Sequence, residues 1–445
     1  MSMFRYLFGA GVVRLYRHSQ MYRVSLFVMI VTLITARSAV AESYSSEMTL
    51  ASAAKLVMLK NPQLQVYRFR KLGSKGMVQM ADQNPALEFG VDIENFAGSG
   101  DFNGTDSAEI TLALSSVIEL GDKRQARVAA ASARQRLIEA ERQVAALDLM
   151  GELTRRFVDV VASQARLELA INTQLLAKET TASVKRRVDA GAAPEAELLR
   201  ARAEYARTEI TVNKEQSQQH SSRVSLSLLW GEAEPNFVRV SGNLMELGAT
   251  GDFEDLYARA LMNPSIEAFA SEERLLDAEL RLARTQSTSD IGWSIGAKQF
   301  QETDDTALVA SFSVPLFSGR RSRGVSASAL AERDAVFYRR KSAELTLRAQ
   351  LFDAYQEHKQ AITAAKILQN SVIPLMKEAL SETQKAYESG RYSYQEWVAA
   401  RQELIAAQYL LIETANTALR YRSEIEQLTA EPLLASLDDD IGINE

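Results

Sequence analysis

Residues 87–100 read LEFGVDIENFAGSG, and residues 109–118 read EITLALSSVI. In the first, Leu87, Phe89, Val91 and Ile93 alternate with Glu88, Gly90, Asp92 and Glu94. In the second, Ile110, Leu112 and Leu114 alternate with Glu109, Thr111 and Ala113. Successive side chains of a strand point to opposite faces, so this period of two gives a greasy face backed by an acidic or polar one. Residues 97–104, polar and glycine-rich, make the connection a hairpin.

The same pattern returns later. Ile291, Trp293, Ile295 and Ala297, then Leu308, Ala310, Phe312, Val314 and Leu316, flank a shorter loop near Thr303, Asp304 and Asp305. Four strands of roughly ten residues are long enough to cross a bilayer at a tilt. Four strands cannot close a barrel, however, and an open sheet edge is not viable in lipid. Several copies must then share one barrel, and three copies would supply twelve strands. Two soluble hairpins packed on helices are the alternative that short alternating runs leave open.

The strands belong to a unit written twice. LKNP at 59–62 recurs as LMNP at 261–264, VIELGDKR at 117–124 as VPLFSGRR at 314–321, and VDAG at 188–191 as YESG at 387–390. The offsets are 202, 197 and 199, so order and spacing agree throughout. The first repeat is expected over 42–231, with a leading helix, a hairpin at 86–119, a long helix at 122–188 and a return helix at 194–229. A linker follows at 232–250. The second repeat, 251–430, has its hairpin at 291–317, a long helix at 321–388 and a return helix at 393–428, before a tail at 431–445. Each long helix would run roughly 100 Å at 1.5 Å per residue. Leu137, Ala140, Val144 and Leu147 keep coiled-coil spacing. Gly191 and Gly390 supply left-handed caps, Pro194 suits a helix start, and Pro374 should bend or loosen the second long helix. Helices of that length form either a coiled-coil rod or a tube of side-by-side copies, and the paired strands favour the tube.

Arg5, Arg14, Arg17 and Arg23, an apolar run over 24–35 and Ala39-Val40-Ala41 read as an export signal over 1–41. Without the five arginines of that segment, 46 basic residues face 57 acidic ones, a net charge of −11. That balance excludes a nucleic-acid partner and suits a surface that tolerates cations. With no cysteine, and only His220 and His358 after residue 41, the chain offers no catalytic constellation, no metal site and no cofactor site.

These landmarks, together with AYESGRYSYQEWVAAR at 386–401, resemble the TolC-like outer-membrane factor family, and most its heavy-metal, CzcC-like branch. The resemblance spans residues 49–432. It implies a mainly α fold with a small β part: a duplicated unit whose long coiled-coil helices form a helical barrel, and whose four transmembrane strands enter a trimeric twelve-stranded β-barrel. It implies a homotrimer in outer-membrane lipid with a long periplasmic extension, docked on a periplasmic adaptor and an inner-membrane transporter. The function implied is a passive exit duct of a tripartite efflux system for metal cations or small toxic compounds, not an enzyme. A type I secretion channel for proteins or peptides is the alternative cargo reading, and a periplasmic coiled-coil interaction protein is the alternative of another class.

The resemblance also places both glycine turns at the periplasmic tip, where relatives carry an acidic residue, usually Asp, six positions after the second turn glycine. Here that position holds Glu396, a longer arm with Trp397 beside it and a departure from the usual Asp, and the first repeat has Glu197 six after Gly191. Rings of like carboxylates select cations, so Glu197 and Glu396 are the candidate gate and selectivity residues, with Asp189, Glu388 and Arg391 beside them. Exposed helix pairs of little consequence are the plainer reading of the same charges. Gly191, Gly390, Tyr392 and Tyr394 are the candidate adaptor-contact tip, although the two tyrosines would equally serve to hold the tip shut.

Overall fold

The computed structural model describes residues 45–316 and 318–430. The expected signal over 1–41 and the tail over 431–445 lie outside the described residues. In chain order the elements are β1 (Ser45–Met48), α1 (Leu50–Lys60), α2 (Pro62–Ala81), β2 (Glu88–Glu94), β3 (Glu109–Ile118), α3 (Lys123–Asp189) and α4 (Glu195–Ser227). Then come β4 (Phe237–Val240), α5 (Phe253–Ala260), α6 (Pro264–Thr285), β5 (Ile291–Phe300), β6 (Thr306–Ser313), α7 (Ser318–Ile367), α8 (Ile373–Glu388) and α9 (Tyr394–Thr429). Ser45–Ser46 and Asn236–Val238 belong to a small separate unit; the other described residues form the larger one.

Each repeat opens with two helices, not one, and the break is written in the Asn-Pro pairs. Pro62 and Pro264 have no N–H to give, and the residue before a proline is pushed out of the helical region. Asn61 accordingly sits at ψ 124° and Asn263 at ψ 138°. Both are buried, and both do the same two jobs. The Asn61 side-chain oxygen accepts the Gln63 N–H at 2.8 Å, while its amide donates to the Leu229 carbonyl at 2.7 Å. Asn263 accepts from the Ser265 N–H at 2.8 Å and donates to the Gln427 and Leu428 carbonyls, both at 2.9 Å. One residue thus caps the start of a helix and receives the frayed end of the return helix from the same repeat. Asn263→Asp keeps the cap and loses both donated bonds. It is expected to cost about 2–3 kcal/mol, seen as a lowered midpoint in thermal unfolding, whereas an unchanged midpoint would remove this role.

Helix α3 is the spine. It packs on α2, α4, α6 and α9, and α7 packs on α6 and α9. The VIELGDKR motif makes the sharp strand-to-helix entry into it. Gly121 has φ +73°, and a Cβ there would meet the Thr288 hydroxyl at 2.7 Å. Lys123 pairs with Asp290 at 2.7 Å, and the Arg127 guanidinium grips Glu119 through both carboxylate oxygens. Part of the segment expected as a linker packs on α3. Gln164 on α3 exchanges two hydrogen bonds with the Val240 backbone, at 2.8 and 3.1 Å, and Leu244 and Leu247 are buried.

The second long helix is interrupted as its proline requires. A π-helical turn over Leu368–Val372 joins α7 to α8, and Pro374 is the second residue of α8. Without an N–H at Pro374, and with its ring pressing on the preceding turn, widening that turn relieves both faults. The matching stretch of α3 has no proline and runs uninterrupted for 67 residues.

The hairpins join into one antiparallel sheet of order β2-β3-β5-β6. Phe89 faces Leu114, Val91 faces Leu112, Leu112 faces Ala297, Ile295 faces Ala310 and Trp293 faces Phe312. The greasy positions of all four strands therefore share one face, and that face is bare: Phe89 is 70%, Leu308 88% and Phe312 75% exposed. Among the described residues, edge strands β2 and β6 have no further partner. Among the described residues, no helix is long and apolar enough to cross a membrane.

Candidate functional site: the paired turns at the helix ends

Helices α3 and α8 end in the same way. Gly191 and Gly390 take φ +70° and +73°, and a Cβ at either would meet nothing, so backbone conformation and not space selects glycine. The Ala192 N–H reaches back to the Arg187 carbonyl at 2.8 Å, and the Arg391 N–H to the Ala386 carbonyl at 2.8 Å. These six-to-one bonds close a Schellman cap on each helix.

The two turns are then tied to each other, mainly by residues that the sequence reading did not single out. Arg187, in the last turn of α3, donates to the carbonyl of Tyr387 and, at 3.0 Å, to that of Glu388. It also donates to the Ala192 carbonyl of its own turn at 3.3 Å, and its guanidinium lies 4.5 Å from the centre of the Tyr387 ring. The Tyr387 hydroxyl donates to Glu197 at 2.9 Å. Burial first, and then the Glu197 carboxylate it serves, hold the Tyr387 phenol well above its ordinary pKa. It is therefore a neutral donor at any physiological pH.

Beneath this bridge lies an aromatic core. Tyr387 stacks on Trp397 at 5.0 Å and meets Tyr394 edge-on at 6.3 Å, with Val184, Leu198 and Ala201 completing the cluster. Trp397, beside the acidic position, is thus absorbed as tip core. Tyr394 is only 5% exposed. Its ring packs inside the chain's own tip, and of the two tyrosines only Tyr392 is exposed. Deeper in, the buried Arg401 of α9 donates to the Thr180 hydroxyl of α3 at 3.1 Å.

Glu197 and Glu396 occupy matching third positions of α4 and α9 but have different partners. Ser393 caps α9, and Glu396 accepts from the Ser393 N–H at 2.7 Å and its hydroxyl at 2.9 Å. This capping box, chiefly the backbone N–H, holds the Glu396 carboxyl below its usual pKa. At the position matching Ser393 the first repeat has Pro194, which offers neither N–H nor hydroxyl. Glu197 is left available for Tyr387. Asp189 pairs with Lys185 at 2.6 Å, Glu388 accepts from Gln384 at 3.0 Å, and Arg391 donates to the Ser389 hydroxyl at 3.1 Å. Among the described residues, the side chains of those three make only local contacts. Among the described residues, no group of three His, Asp or Glu side chains is placed to hold a metal ion.

The comparisons with known proteins agree with this architecture. The family model described as outer membrane efflux protein matches residues 54–232. The cobalt-zinc-cadmium resistance protein CzcC of Cupriavidus metallidurans is 26% identical over 311 residues, 70% of this chain and 74% of that one. The nickel and cobalt resistance protein CnrC of the same organism is 24% identical over 59% of this chain and 62% of its own. The crystal structure of CusC superposes with a TM-score of 0.71, covering 88% of this chain and 93% of that one at 14% identity, a likeness of fold. Over residues 54–232 the chain is similar to the outer membrane efflux protein family, and its duplicated helices and paired hairpins have the fold of solved outer-membrane efflux channels.

Proposed function

We propose that three copies close into a twelve-stranded barrel above a helical tube, forming the exit duct of a tripartite efflux system for metal cations. The observation that carries this reading is the sheet with one bare apolar face and two edges, β2 and β6, that are unpaired among the described residues. Such a sheet is stable in lipid only when its edges meet those of further copies. The helices have the same need. In the layer α2-α3-α6-α7, edge helix α2 exposes Phe69, Met77 and Met80, and edge helix α7 exposes Phe337 and Leu345. These stripes suit burial against neighbouring copies. A metal-cation cargo is supported by the resistance proteins among the relatives and by the net negative charge. An adaptor would engage the paired turns, and an inner-membrane transporter would supply the energy.

The test is the assembly itself. Protein extracted from outer membranes in detergent should have three times the mass of one chain by light scattering, and should conduct ions in planar bilayers. A monomer without conductance would sink the proposal.

The tip is read as the gate, closed in each chain by Arg187 and by the Tyr387–Glu197 bond. Glu396→Gln is a clean probe of charge there, because glutamine serves a capping box as well as glutamate does. Its expected effect is a conductance for divalent cations lowered about two- to threefold; an unchanged value would take Glu396 out of the permeation path.

A further inference from the structure

The hairpins are unusually one-sided in charge. Residues 88–118 and 291–313 hold nine acidic side chains and a single basic one, Lys298. The register puts Lys298 on the face opposite the greasy one, level with Thr111 and, one strand further, Asp92. Glu88, Asp92, Glu94 and Glu109 share that face. Glu94 and Glu109 stand directly opposite one another, a pairing of like charges that destabilises a sheet unless a cation lies between them. Lys298 supplies it: its ammonium is 2.7 Å from a Glu94 oxygen and 2.7 Å from a Glu109 oxygen. Asn95 donates to the other Glu109 oxygen at 3.0 Å. The group lies where the strands enter their hairpin loops, at the ends away from the helices.

We infer that Lys298 is a specificity-determining residue of the channel, setting how strongly the outer mouth of the barrel prefers cations over anions. The inference rests on the barrel proposed above, in which the polar face lines the lumen. Three copies would place three ammonium groups on a wall otherwise lined by carboxylates. A wall too negative holds a cation it should release, since conduction requires binding strong enough to enter and weak enough to leave. Lys298 cancels part of the carboxylate field without abolishing it. An ion pair with no other role than stitching β2, β3 and β5 together would place no demand on the net charge.

The two roles separate by the sign of the response. Reversal potentials across planar bilayers in a potassium chloride gradient give the cation-to-anion permeability ratio. They are best taken at low salt, where charges on the wall are screened over about 10 Å or more. Lys298→Met should raise the ratio about threefold, from three charges removed at aqueous dielectric. The double substitution Glu94→Gln with Glu109→Gln should lower it, and Lys298→Arg should leave it near the wild-type value. A purely structural ion pair predicts that both ways of breaking it disturb the channel in the same direction. Conducting variants whose ratios match the wild type, or shift together, overturn the role of Lys298 and leave the barrel standing. Wild-type protein that does not conduct overturns both.

Discussion

Leu112→Arg is expected to empty the outer membrane of assembled channel. Leu112 sits mid-strand in β3, flanked by Val91 and Ala297 on the bare greasy face. An arginine near the bilayer midplane on the lipid side of a barrel costs about 2–4 kcal/mol. Three copies bring roughly 6–12 kcal/mol to one assembly, comparable to the whole stability of an ordinary domain. The paired control is Ser311→Arg on β6, which lies on the opposite face across from Ser294. It adds the same side chain to the polar side and should assemble. Membrane fractions probed for the unheated, detergent-resistant oligomer report both outcomes. Equal assembly of the two variants would mean that the greasy face does not meet lipid.

That face is legible in the sequence, because alternation fixes the face of every residue on a strand once one is known. The sharing of a single face by four strands was not legible. It depends on β3 pairing with β5, a contact between repeats that no local pattern encodes. The tip shows the limit more sharply. Glu197 and Glu396 are equivalent by spacing, and sequence alone treats them alike. Their partners differ because Pro194 stands where the second repeat has Ser393, so one carboxylate caps its own helix and the other accepts a phenol from across the tip. Arg187 is one of many helical arginines, and nothing local in the sequence marks it out. Its one signal was asymmetry: the matching position of the second repeat is Ala386, so a large cation stands four residues before one turn glycine and has no counterpart at the other. The π turn was half legible, since Pro374 announced a fault in the helix but not that the fault would be met by widening the preceding turn.

Unfastening that tip should produce the largest functional change. Tyr387→Phe removes one hydroxyl and keeps the ring that stacks on Trp397, so the aromatic core survives while the bond to Glu197 is lost. Arg187→Ala removes the donor to the Tyr387 and Glu388 carbonyls and the cation over the ring. A hydrogen bond to a charged group contributes about 1.5–3 kcal/mol, and each 1.4 kcal/mol is a factor of ten in population. Within one chain these ties hold the second-repeat turn against the first. If they bias the channel towards a closed tip, the double variant should favour the open form by tenfold or more per chain. Single-channel recordings should then show a much larger mean conductance than the wild type. Arg187→Lys is the informative intermediate: an ammonium keeps the charge but lacks the planar fork that serves the carbonyls of both turns, so it should open partway. A double variant that assembles normally and conducts like the wild type would show that these bonds brace the turns without gating the passage.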